Sequence, residues 1–173
     1  MKRVTIVQGE YHVAAEPRVI IATLLGSCIG VCLHDAVARV GGMNHFLLGE
    51  PDAATPMMAG DIQRYGIHAM ELLINAMMQR GAQRSRLRAH IYGGANMVAG
   101  LGNIGQSNAA FARNFMVTEG ISIAHMDVGG VQARKVEFMP FEGRVRAVRV
   151  AAMQPAPAVR APALATAGEV ELF

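Results

Sequence analysis

Between Val19 and Leu33 the chain runs fifteen residues without a charge, punctuated by Gly26 and Gly30. A helix that crosses a bilayer needs about twenty predominantly apolar residues. This stretch is too short and too broken for that. Its flanks, Val19 to Thr23 and Ile29 to Leu33, are short and rich in β-branched residues, which predicts two strands rather than a helix. Leu25-Gly26-Ser27-Cys28 joins them, and the glycine allows a sharp turn that presents the Cys28 thiol with little crowding.

More strands are predicted at Val4 to Val7, Arg39 to Leu48 (kinked or bulged at Gly41-Gly42), Leu87 to Tyr92, Ile121 to Met126, Lys135 to Met139 and Val145 to Val150. After a polar loop from Glu50 to Gly60, Asp61 offers an N-cap for an amphipathic helix. Ile62, Tyr65, Ala69, Leu73, Ala76 and Met77 form its apolar face, and Gly81 ends it. Gly93 to Gly105 is glycine-rich. A second helix is expected from Ser107 to Glu119, burying Phe111 and Phe115 and ending at Gly120. Residues 1–152 read as one domain, and 153–173 as an Ala/Pro-rich flexible tail closing in Glu169-Val170-Glu171-Leu172-Phe173.

With 52% hydrophobic and only 5% aromatic residues, the core must be built from aliphatic side chains and methionine. The net charge of +3 is spread along the chain. Its densest basic stretch, Arg80, Arg84, Arg86 and Arg88, has no interleaved aromatic to stack on a base. That argues against nucleic acid and for a solvated helix end. Two cysteines make no disulfide framework, and no secretory pattern surrounds Lys2-Arg3. A soluble, reduced, cytoplasmic protein without membrane insertion is expected.

Cys28 and His45 are the candidate chemistry. A thiol and an imidazole suffice for a cysteine nucleophile with its acid–base partner, an imidazolium holding the thiolate and later protonating a leaving group. Backbone N–H groups of the Gly26-Ser27-Cys28 turn could hold an oxyanion. Residue pattern alone favours a small buried cysteine and a satisfied core histidine. Cys32, four residues on, has no polar surroundings and reads as core. The C-x3-C-x-H spacing of Cys28, Cys32 and His34, with His45 beyond, matches no compact zinc pattern. Gly100-Leu101-Gly102-Asn103-Ile104-Gly105 spells G-x-G-x-x-G, but Gly93 to Ala99 separate it from the preceding strand, so a flexible loop is expected rather than a dinucleotide site with Asp127. His12, His68, His90 and His125 stand singly.

Taken together, Thr23-Leu24-Leu25-Gly26-Ser27-Cys28-Ile29-Gly30-Val31-Cys32-Leu33 and Gly41-Gly42-Met43-Asn44-His45-Phe46-Leu47-Leu48 resemble the CheD family of chemoreceptor glutamine deamidases. Met70-Glu71-Leu72-Leu73-Ile74-Asn75, Gly93-Gly94-Ala95-Asn96-Met97, Asn103-Ile104-Gly105, Asp127-Val128-Gly129-Gly130 and Arg134-Lys135-Val136 continue it in order, over roughly residues 5 to 150. The resemblance implies an α+β fold, a layered β-sandwich flanked by helices, like that of cysteine-dependent deamidase toxins. It implies Cys28 as nucleophile, His45 as base and Thr23 as the third site residue, with no metal or organic cofactor. The implied activity is that of a protein-glutamine glutaminase on chemoreceptor cytoplasmic domains, through a thioester, in chemotaxis adaptation. Regulation of a CheC-type phosphatase partner is the alternative it brings.

Overall fold

The computed structural model describes residues 1–48, 59–97 and 103–151, in which nine strands and two helices stack as three layers. The strands are β1 (Lys2–Thr5), β2 (Tyr11–Ala14), β3 (Val19–Leu25), β4 (Ile29–Asp35), β5 (Val40–Phe46), β6 (Arg88–Gly93), β7 (Ser122–Val128), β8 (Ala133–Met139) and β9 (Arg144–Val150). The helices are α1 (Ala59–Gln79) and α2 (Ile104–Glu119). One sheet has the order β1-β3-β8-β9, the other β2-β5-β4-β6-β7.

Strand β4 shows why the central run is apolar throughout. Side chains alternate across a strand, and both of its faces are covered. Ile29, Val31 and Leu33 point into a core shared with Met70, Leu73, Ile74 and Met77 of α1 and Ala112, Phe115 and Met116 of α2. Cys32 joins Met43, Ile21, Leu25, Val136 and Phe138 in a second core between the sheets. The α+β class therefore holds, with one refinement. Among the described residues, α1 packs on β2 and β5, and α2 on β4, β6 and β7, so both helices cover the five-stranded sheet.

Several expectations shift. Strand β2 was not legible, because Tyr11-His12-Val13-Ala14 is a short edge strand held only by pairing with β5. Helix α1 begins at Ala59, so Gly60 belongs to it and Asp61 lies in its first turn, where a carboxylate favours the N-terminal dipole, rather than at the cap. Its buried stripe runs through Gly66, Met70, Leu73, Ile74 and Met77, leaving Tyr65 exposed. A methyl at Gly66 would collide with Leu48 and Phe111, so this glycine is the seat for those side chains. Gly41 and Gly42 make no bulge: β5 pairs with β4 in unbroken register. They make room instead, Gly41 for Pro140 and Gly42 for Leu73 and Val13.

Helix α2 begins at Ile104, three residues before the expected Ser107, and Gly120 ends it in the left-handed conformation. Gly105 thus lies in the helix, not in a loop, and its missing side chain lets the first turn press on the backbone of Gly94 and Ala95. The expected loop at 100–102 and the tail at 153–173 lie outside the described residues. Three of the four arginines of the basic stretch are paired, while Arg88 is exposed. Arg80 pairs with Glu16, Arg84 with Glu71 and Glu119, and Arg86 with Asp35. Burial would raise the Asp35 pKa, but Arg86 and the N–H groups of Val37, Ala38 and Gln83 hold it at about 2.

Candidate active site

The β3–β4 turn is pinned from behind. The Gly26 carbonyl accepts from Ala95 N–H at 3.0 Å, and the Cys28 carbonyl from Gly94 N–H at 2.9 Å. The Ser27 carbonyl accepts from the Asn108 side-chain amide at 2.9 Å. Asn108 also accepts from Leu48 N–H at 3.1 Å, so one buried residue of α2 ties the turn to the chain just past β5. Gly93 allows this approach with φ +110°, and a Cβ there would fall on the Cys28 carbonyl. Gly93→Ala is therefore expected to cost about 1–3 kcal/mol and to lower activity beyond what the lost stability explains. Thermal unfolding beside rate measurements checks this.

His45 comes from β5, directly opposite Gly30 of β4. Cys28, in the turn just before β4, packs against the core between the two sheets, and the His45 side chain also faces Thr23 of the other sheet, so the imidazole and the thiol border the same inter-sheet side. Thr23 reaches across from the other sheet. Its Oγ1 lies 2.7 Å from His45 Nδ1 and 2.7 Å from the Ile6 carbonyl oxygen. A hydroxyl has one proton, and a carbonyl can only accept. Thr23 therefore donates to Ile6 and accepts from His45, which places the imidazole proton on Nδ1 and leaves a lone pair on Nε2. His45 is buried, and burial pushes its pKa below the ordinary imidazole range, with the Glu10 carboxylate pulling the other way. The shift favours a neutral imidazole, able to act as a base through Nε2.

The strand predicted at Val4 to Val7 ends at Thr5, and the segment Ile6 to Glu10 serves the site instead. It supplies the Ile6 carbonyl, and Gly9 N–H donates to the His45 carbonyl at 2.8 Å while His45 N–H donates to the Glu10 carbonyl at 3.0 Å. Cys28 is half-buried, and its thiol donates to Gln8 Oε1 at 3.8 Å. The legible signal was Gly9, whose φ of +88° suits the third position of a turn.

The remaining candidates fall elsewhere. Cys32 is fully buried, and burial drives its thiol far above the ordinary cysteine range. His34 points away to the Phe141 carbonyl. Among the described residues no group of three or more His, Cys, Asp or Glu could hold a metal ion. Asp127 pairs with Arg134 and Arg149. His90 and His125 are neighbours across β6 and β7 rather than isolated, with ring centroids 6.5 Å apart.

The sequence model of the CheD chemotactic sensory transduction family matches residues 47–149. A relative from Caulobacter sp. (strain K31) is 50% identical over 177 residues, covering 99% of this chain and 93% of its own length. The chain belongs to the CheD family. Thr23, Cys28 and His45 precede the segment matched by the family model but fall inside the alignment with that Caulobacter relative. Another CheD protein, from Rhizobium rhizogenes, is 52% identical over 145 residues, 84% of this chain and 78% of its own length. One from Rhizobium meliloti (strain 1021) is 47% identical, covering 94% and 92%. All three bear the name "Probable chemoreceptor glutamine deamidase CheD". Among solved structures, a Neisseria meningitidis protein of the DUF152 family superposes with a TM-score of 0.49 at 11% identity, over 76% of this chain and 64% of its own. That likeness is too loose to argue from. No helix among the described residues is long and apolar enough to cross a membrane.

Proposed function

We propose that this CheD protein hydrolyses glutamine side chains of chemoreceptors to glutamate through a thioester on Cys28. The observation that carries the reading is the hydrogen-bond chain from Ile6 through Thr23 to His45, because it makes Nε2 a base on the inter-sheet side that the thiol also borders. Cys28 passes its proton to Nε2, and the sulfur attacks the carboxamide carbon. The carbonyls of the β3–β4 turn are engaged behind it, so the turn's N–H groups are the donors assigned to the oxyanion. As the tetrahedral intermediate collapses, the C–N bond breaks and His45 returns the proton to the departing nitrogen, which leaves as ammonia. Nε2 then takes a proton from water, the hydroxide attacks the thioester, and Cys28 leaves as thiolate, recovering its proton. Atoms balance as one water consumed and one ammonia released.

The product side chain gains a negative charge, which turns the receptor position into one that can be methylated and so serves adaptation. This places the action on cytoplasmic receptor segments, with residues 1–152 as the catalytic unit and 153–173 as its tail. The layered arrangement would then be the one that cysteine-dependent deamidase toxins use.

The test is ammonia release from a chemoreceptor cytoplasmic fragment, with a gain of about 1 Da at a glutamine. Silence on several receptors while the fold is intact would move the phosphatase-partner role ahead. The acid limb of the rate profile gives a second check. His45 must be neutral to accept the thiol proton, and its pKa is lowered by burial. The base therefore survives below pH about 6.5, and kcat/KM should fall only as His45 protonates at lower pH. Glu10 works against that lowering, so Glu10→Gln is expected to move the limb further toward acid. A limb that stays put or moves toward neutral contradicts this electrostatic account.

A further inference from the structure

The turn that holds His45 also carries a side chain to the thiol. Val7-Gln8-Gly9-Glu10 is closed by Glu10 N–H on the Val7 carbonyl at 3.0 Å and braced by the Glu10 carboxylate on Val7 N–H at 2.9 Å. Two backbone bonds peg it to His45 itself. Gln8 occupies the second position of this turn, an exposed corner, yet its Oε1 lies against Cys28 Sγ. A thiol is a weak donor, while holding a glutamine in one rotamer costs about 1.5–2 kcal/mol. The resting contact is therefore a poor reason for the side chain to be there. The space that Oε1 faces is the space a substrate carboxamide must enter.

Building on the deamidase reading above, we propose that Gln8 is a specificity-determining residue whose carbonyl accepts an N–H of the substrate carboxamide and so selects amides over esters. A carboxamide at Cys28 makes opposite demands at its two polar atoms. Its oxygen needs donors, which the β3–β4 turn supplies. Its nitrogen carries two N–H donors and needs an acceptor. The reacting carbon must come within about 3–3.5 Å of the sulfur, which brings its nitrogen into the shell that Oε1 already occupies. On entry Oε1 exchanges a weak S–H donor for an amide N–H, and the nitrogen lone pair still faces the proton returning from His45. An ester oxygen offers Gln8 no proton. A product carboxylate sets oxygen against oxygen, which favours its release.

The experiment compares two fragments of one receptor, one with the native glutamine and one with an activated γ-aryl ester of glutamate at that position. Both are turned over by the wild type, Gln8→Leu and Gln8→Glu, each confirmed folded by its unfolding temperature. One neutral hydrogen bond is worth about 1 kcal/mol net, so Gln8→Leu should lose about five- to tenfold in kcat/KM for the amide and little for the ester. Gln8→Glu keeps an acceptor at the same reach. Its charge opposes thiolate formation with either substrate, so both rates should fall together and the amide-to-ester ratio should hold. An unchanged ratio in Gln8→Leu, with ammonia still released by the wild type, overturns this inference alone. A wild type that cleaves the ester but releases no ammonia overturns the deamidase reading, and this inference with it.

Discussion

Cys28→Ala is expected to cut ammonia release by a factor on the order of 10⁶, the scale on which a covalent catalyst suffers when its nucleophile is removed. The fold should barely register the change, since the side chain is half-buried and the turn is held by its carbonyls rather than by the thiol. His45→Ala should cost nearly as much, because nucleophile and base act as one unit and their losses do not add. Thr23→Val is a different experiment. It leaves thiol and imidazole in place but removes the acceptor of Nδ1–H and the only hydroxyl joining His45 to Ile6 among the described residues. The ring can then turn or carry its proton on the wrong nitrogen, for an expected loss of about 10²-fold. Thr23→Ser, which keeps the hydroxyl, should recover most of it. If valine were as active as threonine, the tautomer argument would fail even with Cys28 and His45 essential.

The largest loss of stability is expected at Arg134, which lies on β8 opposite Leu25, just before the Cys28 turn. Its side chain is 1% exposed and its guanidinium joins four acceptors: the carbonyls of Gly93 at 3.3 Å, Gln132 at 3.4 Å and Gly129 at 2.8 Å, and the Asp127 carboxylate at 3.1 Å. The Arg134 hydrogen bond is the main reason the Asp127 carboxyl lies below its ordinary range. Arg134→Leu leaves the carbonyls of Gly129 and Gln132 without this donor, while Asp127 keeps Arg149 and the Gly93 carbonyl keeps Gly129 N–H, so the loss is about 2–4 kcal/mol. For a chain of this size that is about 4–16 °C in unfolding temperature. Lysine should not rescue, because a point charge cannot fork across spread acceptors. Gly93 is also the residue that meets the Cys28 carbonyl, so activity should decline below the melting range as well. A fall of under about 2 °C would show that the cluster relaxes onto water and does not brace the site.

What the sequence revealed and what it hid divide along physical lines. Strand β4 was legible because both its faces are buried, and β3 because its run is uniformly apolar even though Leu24 on its outer face is exposed. Cys28 and His45 stood out as polar groups beside glycines within that apolar context. The role of Thr23 could not be read from spacing, because it depends on two sheets meeting. Thr23 and His45 belong to different sheets, and only the packed sandwich brings Oγ1 to Nδ1. Asn108 is similar: a polar residue on the inner face of a helix announces a buried hydrogen bond but not its partners. Arg134 stood out only within the motif Arg134-Lys135-Val136, and only the fold surrounds it with carbonyls. Tyr65 misled because helical spacing fits two adjacent faces, and the small Gly66, invisible to a hydrophobic count, decides between them.

The central claim is that a receptor carboxamide is carried on the Cys28 sulfur while ammonia departs. The most direct measurement is an acid quench of enzyme mixed with a short receptor peptide, followed by mass analysis of the fragment that contains Cys28. The account predicts a transient adduct equal to the peptide mass less ammonia, attached at Cys28, released by hydroxylamine as a hydroxamate and lacking in Cys28→Ala. Conversion of glutamine to glutamate at the full rate by Cys28→Ala, or an adduct on any other residue, would contradict it.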